Sequence, residues 1–568
     1  MRIINDIPKD VPDGAMVALD TEFFGQEKGR LHRPHGTFAA LSIVWERSGA
    51  VYQITDESLI KGALAAVEKG TWVFHNSLYD LRQLRRFATI KPRFIWDTML
   101  VDQSMNGGYY QTFSLQDLVR RWLNERMSKE VRGEFEEATK MTAAMKKYAA
   151  DDVVKTLKVA KKQKEAYEDD PAFHAYTLID EPMIFPLLDM PGVPVDVVGW
   201  KEMVTYFAAE AERLEDDLQI NSFSGPQVIK AASKHGIHLR DTRAETLKAY
   251  KDVDFIAKVI EARMYRKAVS TYGESWLEKN VEADGKVYSS YHITGAETGR
   301  MSSSSPNMQQ IPARKLPQYR KLFPASPGHV LLVSDVNQQE PRILAYESRD
   351  GELIKVFENG EDSHLAVART IFNEPNMPKS DPRRKNEGKT INLGTAYGLS
   401  EYGIALRLGI TEQEAAQYLR QYFTKFRDVL IWIGQKRVEA QKNGFIRTVS
   451  SRKVFINPYD NQWPNNAINA PIQGGAADFT KMWVRNIWEG CRKAKVPFLV
   501  ILIVHDEVVQ NVPKDKLKVY KEITQTAFDQ TAKELFPIIP FEVEMEHGLD
   551  WGVKQGGDHT QIQDESDE

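Results

Sequence analysis

Two apolar runs stand out along the chain, and each stops at a carboxylate. His329-Val330-Leu331-Leu332-Val333-Ser334-Asp335 is the first; Phe498-Leu499-Val500-Ile501-Leu502-Ile503-Val504-His505-Asp506, followed by Glu507, is the second. Runs of this length read as buried strands. Asp is almost never fully buried without a partner, so packing explains a carboxylate at the rim of a buried sheet poorly. Two such groups on adjacent strands can hold two divalent cations about 4 Å apart, which clamp the attacking and leaving oxygens of a phosphoryl transfer. A third run, Val17-Ala18-Leu19-Asp20-Thr21-Glu22-Phe23, carries two acids at i, i+2. Strand side chains alternate, so Asp20 and Glu22 share a face. Trp72-Val73-Phe74 reads as another strand, after which Asp80 is expected to begin a helix. Tyr148 and Asp152 fall at i, i+4 on one helical face.

The first 160 or so residues alternate strand-like and helix-like segments, as an α/β domain does. A charged helical region, Met141 to Glu168, ends near Asp169-Asp170-Pro171, a candidate boundary. Ala208 to Leu218 and Ala244 to Tyr272 are helix-rich, with Lys230, Lys234, Arg240 and Arg243 between them. Tyr288 to Pro312 is rich in Gly, Ser, Pro and Asn and predicts loop and short strands. From Leu331 to Val512, two strand regions bracket a long helical stretch.

Composition changes this picture little. A chain of 568 residues has room for two to four domains, and 42% hydrophobic with 27% charged residues is ordinary for a globular protein. The single cysteine, Cys491, excludes an intrachain disulfide and a cysteine-based zinc site. No apolar stretch reaches the roughly 18 residues of a membrane span, and the start resembles no signal or transit peptide, so a cytoplasmic location is the default. A net charge of −4 does not announce a nucleic-acid partner. Local basic stripes can bind one while acidic sites and the tail from Asp564 to Glu568 lower the total.

The N-terminal acids form an ordered set. Asp20-x-Glu22, Asn76-x-x-x-Asp80 and Tyr148-x-x-x-Asp152 resemble the DEDD superfamily of 3′–5′ exonucleases over roughly residues 10 to 165. The resemblance implies a ribonuclease-H-like sheet in which Asp20, Glu22, Asp80 and Asp152 hold two magnesium-like ions. Tyr148 would orient or deprotonate an attacking water. Asp97, in Ile95-Trp96-Asp97-Thr98, follows the same pattern as a structural or supporting residue.

Farther along, Thr298-Gly299-Arg300-Met301-Ser302-Ser303, Pro306 to Pro312, Asp335 to Arg342, Lys389 to Gly398 and Val504-His505-Asp506-Glu507 follow in order. They resemble family A DNA polymerases, the DNA polymerase I type, from about residue 175 to the end. The spacing of Lys389, Leu393 and Tyr397 gives one helix face a cation, an apolar surface and a ring, with Gly394 and Gly398 expected in the helix interior. The resemblance implies that Lys389 neutralises a triphosphate, aided by either Arg384 or Lys385, with His364 near the phosphates. Leu393 would touch the sugar, Tyr397 would abut the nascent pair and Glu340 would exclude a 2′-hydroxyl. Pro341 is expected to keep Glu340 out of the α region, and it can also start the helix that runs through Ile343-Leu344-Ala345, where a missing N–H costs little. Arg300, Asn307, Gln309, Asn469, Gln473 and His505 would contact DNA; Asn469 to Gly475 can also be read as plain loop chemistry. Lys385, Leu393, Pro341 and Asn465 depart from the usual family residues at their positions.

The expectation is therefore α/β plus α+β: a ribonuclease-H-like exonuclease domain over 1–168, then a right-hand polymerase over 169–568. Its thumb would lie at about 175–295, with fingers at about 345–450 inserted in the palm. Asp335 and Asp506 would bind two magnesium ions, with manganese as a substitute and Glu507 in support. Primer-template DNA and dNTPs are the expected substrates. A helicase or other replication protein is a candidate partner, a membrane is not, and the setting is a bacterial or phage-infected cell. Rival readings are a nuclease with a non-polymerising body and a non-catalytic DNA scaffold.

Overall fold

The computed structural model describes residues 2–25, 36–90, 92–127, 130–313 and 315–553, so the acidic tail falls outside the described residues. The chain folds as two compact units. The first comprises Met1–Pro191, Ser289–Gln309 and Leu332–Glu546; the second comprises Gly192–Tyr288, Gln310–Leu331 and the residues from His547 onward.

In the first unit, six strands form one sheet: β1 (Arg2–Ile4), β2 (Met16–Phe24), β3 (Thr37–Trp45), β4 (Ala50–Ile54), β5 (Thr71–Phe74) and β6 (Phe94–Asp97), in the order β1-β4-β3-β2-β5-β6. Central β2 runs antiparallel to β3, with Asp20 opposite Ser42, and parallel to β5. Val17, Ala18, Leu19, Val73 and Phe74 are buried there. Helix α1 (Ser77–Leu84) follows β5, α2 (Thr98–Met105) follows β6, and α3 (Ala143–Tyr167) crosses the sheet. Asp80 does not begin α1. The helix starts three residues earlier, at Ser77, behind Asn76 in the left-handed region at φ 69°. Asp97 ends β6 and caps α2, accepting from the backbone of Met99 and Leu100. It also accepts from the backbone of Asn76 and Ser77, so one carboxylate ties the starts of two helices together.

The same unit holds most of a second sheet: β7 (His329–Val336), β8 (Val500–Val504), β9 (Glu507–Pro513) and β10 (Val543–Gly548), in the order β8-β9-β7-β10. The helical stretch between β7 and β8 contains α4 (Gln339–Ser348), α5 (Ser363–Ile371), α6 (Lys389–Ala396) and α7 (Trp463–Ala494), and α8 (Leu517–Leu535) lies between β9 and β10. Helix α7 packs along α8, with Trp483, Phe479 and Phe528 in ring contact. Asn469 to Gly475 is thus helical rather than loop, even though Pro471 lies inside α7. The glycines there have a packing reason: a Cβ on Gly474 would stand 2.4 Å from Thr448 Cγ2.

Four charged side chains are buried together in this unit. Arg452 donates to both oxygens of Asp180 at 2.7 and 2.9 Å and to Asp478 at 2.7 Å; Lys481 reaches Asp180 at 2.6 Å and Ser104 of α2 at 2.5 Å donates to the same carboxylate. All four charged groups are fully or almost fully enclosed. Such a cluster persists only when every charge is paired and hydrogen-bonded.

The second unit is largely helical. Helices Val197–Leu218 and Asp254–Tyr272 pack along each other. Trp200 stacks on Trp276 with centroids 4.4 Å apart, beside Tyr319 and Phe323. Val228, Ala232, Leu247, Ile256 and Val259 form a second core. Lys230 and Lys234 are exposed, whereas Arg243 is paired with Asp241.

Candidate active sites

The first acidic cluster sits at the middle of β2. Burial along the strand alternates so that Asp20 and Glu22 are half-buried on one face while Thr21 is buried on the other. Thr21 supplies both its N–H (2.9 Å) and its hydroxyl (2.6 Å) to Asp80 Oδ1, which locks α1 against the strand and sets Asp80 beside the pair. From α3, Tyr148 hydrogen-bonds Asp152 across one helical turn. Desolvation pushes these carboxylates up, Glu22 to about 8, Asp80 to about 7 and Asp152 to about 6; Asp20 is also raised well above its ordinary value. At Asp20 the charges of Glu22, Asp80 and Asp152 add to the effect, at Glu22 those of Asp152 and Asp80 do, and Arg132 opposes it at both. Burial, then Asp152, keeps the Tyr148 phenol protonated. Asp20 Oδ2 is buried with no hydrogen-bond partner among the described residues.

Arg132 was not singled out by sequence. It lies on a short 3-10 turn, Glu130–Glu136, held over the end of β2 by Gly25 N–H to Phe135 O (3.2 Å) and by Phe135 against Phe24 and Tyr148. A lone arginine outside any motif carries no periodic signal, so only the fold brings it to the acids.

The second cluster forms where β7 meets the β8–β9 hairpin. Asp335 is the penultimate residue of β7. Asp506 is not on a strand beside it: β8 ends at Val504, and Asp506 occupies the hairpin turn after His505, whose φ is 59°. The strand between β7 and β8 is β9, which begins at the buried Glu507. Val336 N–H donates to Asp506 O at 3.3 Å, fastening the turn to β7. Burial and then the charge of Asp335, with smaller contributions from Glu340 and Glu507, lift Asp506 to about 7. Among the described residues, no three His, Cys, Asp or Glu side chains converge on a ready-made metal cage. Yet both clusters suit cations: one has an orphaned, buried carboxylate oxygen, the other an acid whose ionisation its neighbours oppose.

Glu340 borders this cluster. Its Oε1 accepts from Arg300 at 2.7 Å and its Oε2 from the Tyr397 hydroxyl at 2.5 Å. Pro341 does not keep Glu340 out of the α region. Helix α4 already begins at Gln339, so Glu340 is helical and Pro341 is the third helical residue. The first four N–H groups of a helix have no intrahelical acceptor, so a proline there forfeits no bond.

The cationic helix is shorter than its spacing predicts. α6 ends at Ala396, Tyr397 caps it, and Gly398 is outside the interior with φ +67°. Leu399 N–H returns to Gly394 O at 2.8 Å, the ordinary closure that a left-handed glycine permits. Before α6, residues Arg384–Gly388 form a π turn, with Lys389 N–H bonded to Arg384 O. A Cβ on Gly388 would stand 2.3 Å from His364 O, so this turn must be bare for α5 to pack. Arg384 is taken up by Asp362, the N-cap of α5, while Lys385 and Lys389 are exposed. Leu393 is half-buried between them and Tyr397. His364 is enclosed on α5 and desolvation pushes it down to about 4.

Of the other sequence-predicted residues, Asn307 accepts from Ser303 Oγ (3.1 Å) and Gln309 N–H (3.0 Å), and Gln309 reaches Ile503 O at 3.3 Å, at the end of β8. His505 is exposed at the hairpin tip. Asn469 and Gln473, one turn apart on α7, line a cavity of about 290 Å³ with Gln111, Glu297 and Thr298. Asn469 Oδ1 has no partner among the described residues.

Comparison with known proteins bears on both clusters. Residues 4–166 match the family model of a 3′-5′ exonuclease, and residues 211–553 match that of DNA polymerase family A. The DNA polymerase I of Caldicellulosiruptor bescii is 32% identical over 322 residues, 55% of this chain and 37% of its own. That of Chloroflexus aurantiacus is 30% identical over 439 residues, 71% of this chain and 46% of its own. The thermostable DNA polymerase I of Thermus aquaticus is 28% identical over 407 residues, 66% and 48%. The chain thus spans between a third and half the length of these relatives. A solved structure described as the POL domain of Pol1 from M. smegmatis in complex with DNA primer-template and dNTP superposes with a TM-score of 0.81 at 24% identity, over 95% of this chain and 96% of that one; at this identity the likeness speaks for the fold. The family A match covers more than half of the residues and takes in the second acidic cluster and the cationic helix, while the exonuclease match takes in the first. The chain belongs to DNA polymerase family A, with a 3′-5′ exonuclease domain ahead of the polymerase domain.

Proposed function

We propose that the chain extends primer 3′ ends on a DNA template with dNTPs at the Asp335–Asp506 cluster, and removes mispaired 3′ nucleotides at the Asp20–Glu22–Asp80–Asp152 cluster. The observation that carries this reading is the fastening of Asp506 to β7 beside Asp335, with an exposed Lys389 on the neighbouring helical region. On this reading residues 1–168 are the exonuclease module and 169–568 the polymerase, with a thumb near 175–295 and fingers near 345–450.

Asp335 and Asp506 would anchor two magnesium ions, or manganese in their place, and Glu507 would support them from the base of β9. Divalent ions at such a site lower the pKa of the primer hydroxyl and stabilise the leaving pyrophosphate. Lys389 would neutralise the triphosphate. Because Arg384 is engaged by Asp362, Lys385 is the better second cation. Tyr397 would abut the nascent pair, Leu393 the sugar, and Glu340 would face the 2′ position, held there by Arg300 and Tyr397. Asn307, Gln309, Asn469, Gln473 and His505 would meet the duplex, where minor-groove acceptors are nearly sequence-independent. In the exonuclease site Tyr148 remains protonated, which favours orienting a water over deprotonating it.

Primer extension with magnesium and four dNTPs, beside degradation without dNTPs, tests the reading. Both activities are expected. Degradation alone would leave a nuclease with a non-polymerising body, and neither would leave a DNA-binding scaffold.

A further inference from the structure

A buried polar chain runs from the start of α4 to the enclosed face of α5. Gln338 precedes α4 in the left-handed region, at φ 51°. Its Oε1 accepts from Ser363 N–H at 3.0 Å and from Ser363 Oγ at 2.5 Å. Asn392, fully buried on α6, brings Nδ2 to 2.8 Å from Ser363 Oγ and 3.0 Å from His364 Nδ1.

One backbone group sets the direction of every bond in this chain. A backbone N–H only donates, so Gln338 must turn its oxygen, not its NH2, toward Ser363. The serine hydroxyl gives its proton to the same oxygen and is left as an acceptor. Asn392 must therefore present Nδ2 to Ser363. The reverse orientation would set Oδ1 against another acceptor. The second hydrogen of Nδ2 then faces His364 Nδ1, which has to accept it. A neutral imidazole that accepts at Nδ1 carries its proton on Nε2.

We infer that Asn392 is a positioning residue: with Ser363 and Gln338 it holds His364 as the neutral Nε2–H tautomer, a fixed hydrogen-bond donor for an anionic oxygen of the incoming nucleotide. The inference rests on the triphosphate site proposed above and on the family resemblance, which implies that His364 lies near the phosphates. Geometry and electrostatics agree. An imidazolium would turn an Nδ1–H against the Asn392 amide donor. Burial disfavours the charged ring, Lys389 and Arg384 disfavour it further, and Asp362 opposes them. The site thus gains a donor that does not change charge through neutral pH, alongside lysines that supply the charge.

The test is ¹⁵N spectroscopy of the full chain labelled at histidine, with His364 identified by the signals missing in His364→Gln. The expected spectrum shows a protonated Nε2 and a pyridine-like Nδ1, unchanged from about pH 6 to 9. A protonated Nδ1 in the wild-type chain would overturn the inference. Asn392→Asp offers Nδ1 only acceptors, so the proton should move to Nδ1 and the ring pKa should rise. The KM for dNTP should then increase about tenfold near pH 8, with a smaller change in kcat, and become pH-dependent. An Nε2–H tautomer and a KM both unaltered in Asn392→Asp would also overturn it. His364→Ala distinguishes the two layers: an unchanged KM for dNTP there would refute the phosphate contact itself, while the wild-type spectrum decides the tautomer separately.

Discussion

Glu340 shows how a single side chain is made rigid. Carboxylates on a first helical turn usually wave in solvent, but this one is gripped at both oxygens, by Arg300 and by Tyr397. A wall that discriminates against one hydroxyl must not move, and a site shaped this way can reject an extra polar atom strongly only while its own groups stay in place. Glu340→Ala should therefore raise ribonucleotide incorporation by at least about tenfold. Tyr397→Phe, which removes only the 2.5 Å hydrogen bond, should raise it by a smaller factor. Single-nucleotide incorporation kinetics with paired rNTP and dNTP measure both. Equal selectivity in Glu340→Ala and the wild type would place the sugar filter elsewhere. The type and position of these residues could be read from their motif, but not their mutual grip, because 40 and 57 residues separate the partners. The backbone at Glu340 differs from the expectation for a physical reason: the helix starts at Gln339, two residues before the proline, and the first turn tolerates proline well enough to override the preference of the residue before it.

At the scale of elements, the acids at strand ends were legible because hydrophobic periodicity breaks at them. The α5–α6 region was less so. A π turn before α6 shifts the register by about one residue, and sequence spacing assumes an unbroken α-helix. The consequence is that Arg384, one π turn before Lys389, pairs with the cap of α5, and Lys385 is left outward. The buried ion cluster was wholly invisible: Asp180 and Arg452 lie 272 residues apart, and each looks like an ordinary charge in its own segment. Its energetics predict a clear phenotype. Asp180→Asn would leave Arg452 and Lys481 facing only Asp478, and removing one member of a buried pair costs about 3–5 kcal/mol. The neighbouring cations Arg452 and Lys481 hold the Asp180 carboxyl below its ordinary range despite burial. A depressed carboxylate stabilises the fold at pH values above the unfolded pKa near 4, and that stability fades as the pH falls through the lower, folded value. Chemical denaturation at several pH values should therefore show the cost of Asp180→Asn at full size at neutral pH and shrinking in acid. A cost that is small at neutral pH, or that grows in acid, would contradict this account of the cluster.

On the scale of the whole molecule, the two acidic clusters are built on different sheets, β2 with α1 and α3 in one case and β7 with the β8–β9 hairpin in the other. Removing the acids of one sheet should leave the other intact. Asp20→Ala combined with Glu22→Ala should abolish 3′–5′ degradation and preserve primer extension. It should also raise the melting temperature of the metal-free chain, since it deletes two desolvated carboxylates whose ionisation the neighbouring acids oppose. Loss of both activities in a variant that still melts cooperatively, at or above the wild-type temperature, would sink the two-site arrangement. The central claim, that Asp335 and Asp506 together are the seat of synthesis, is tested most directly by Asp335→Asn. The change removes a charge and leaves the volume and the sheet nearly as they were. Measured side by side, primer-template binding in a gel-shift assay should persist while primer extension falls by more than about a thousandfold. Extension within roughly tenfold of the wild type would contradict the account, because a carboxylate that anchors the catalytic ions cannot be neutralised at so small a cost.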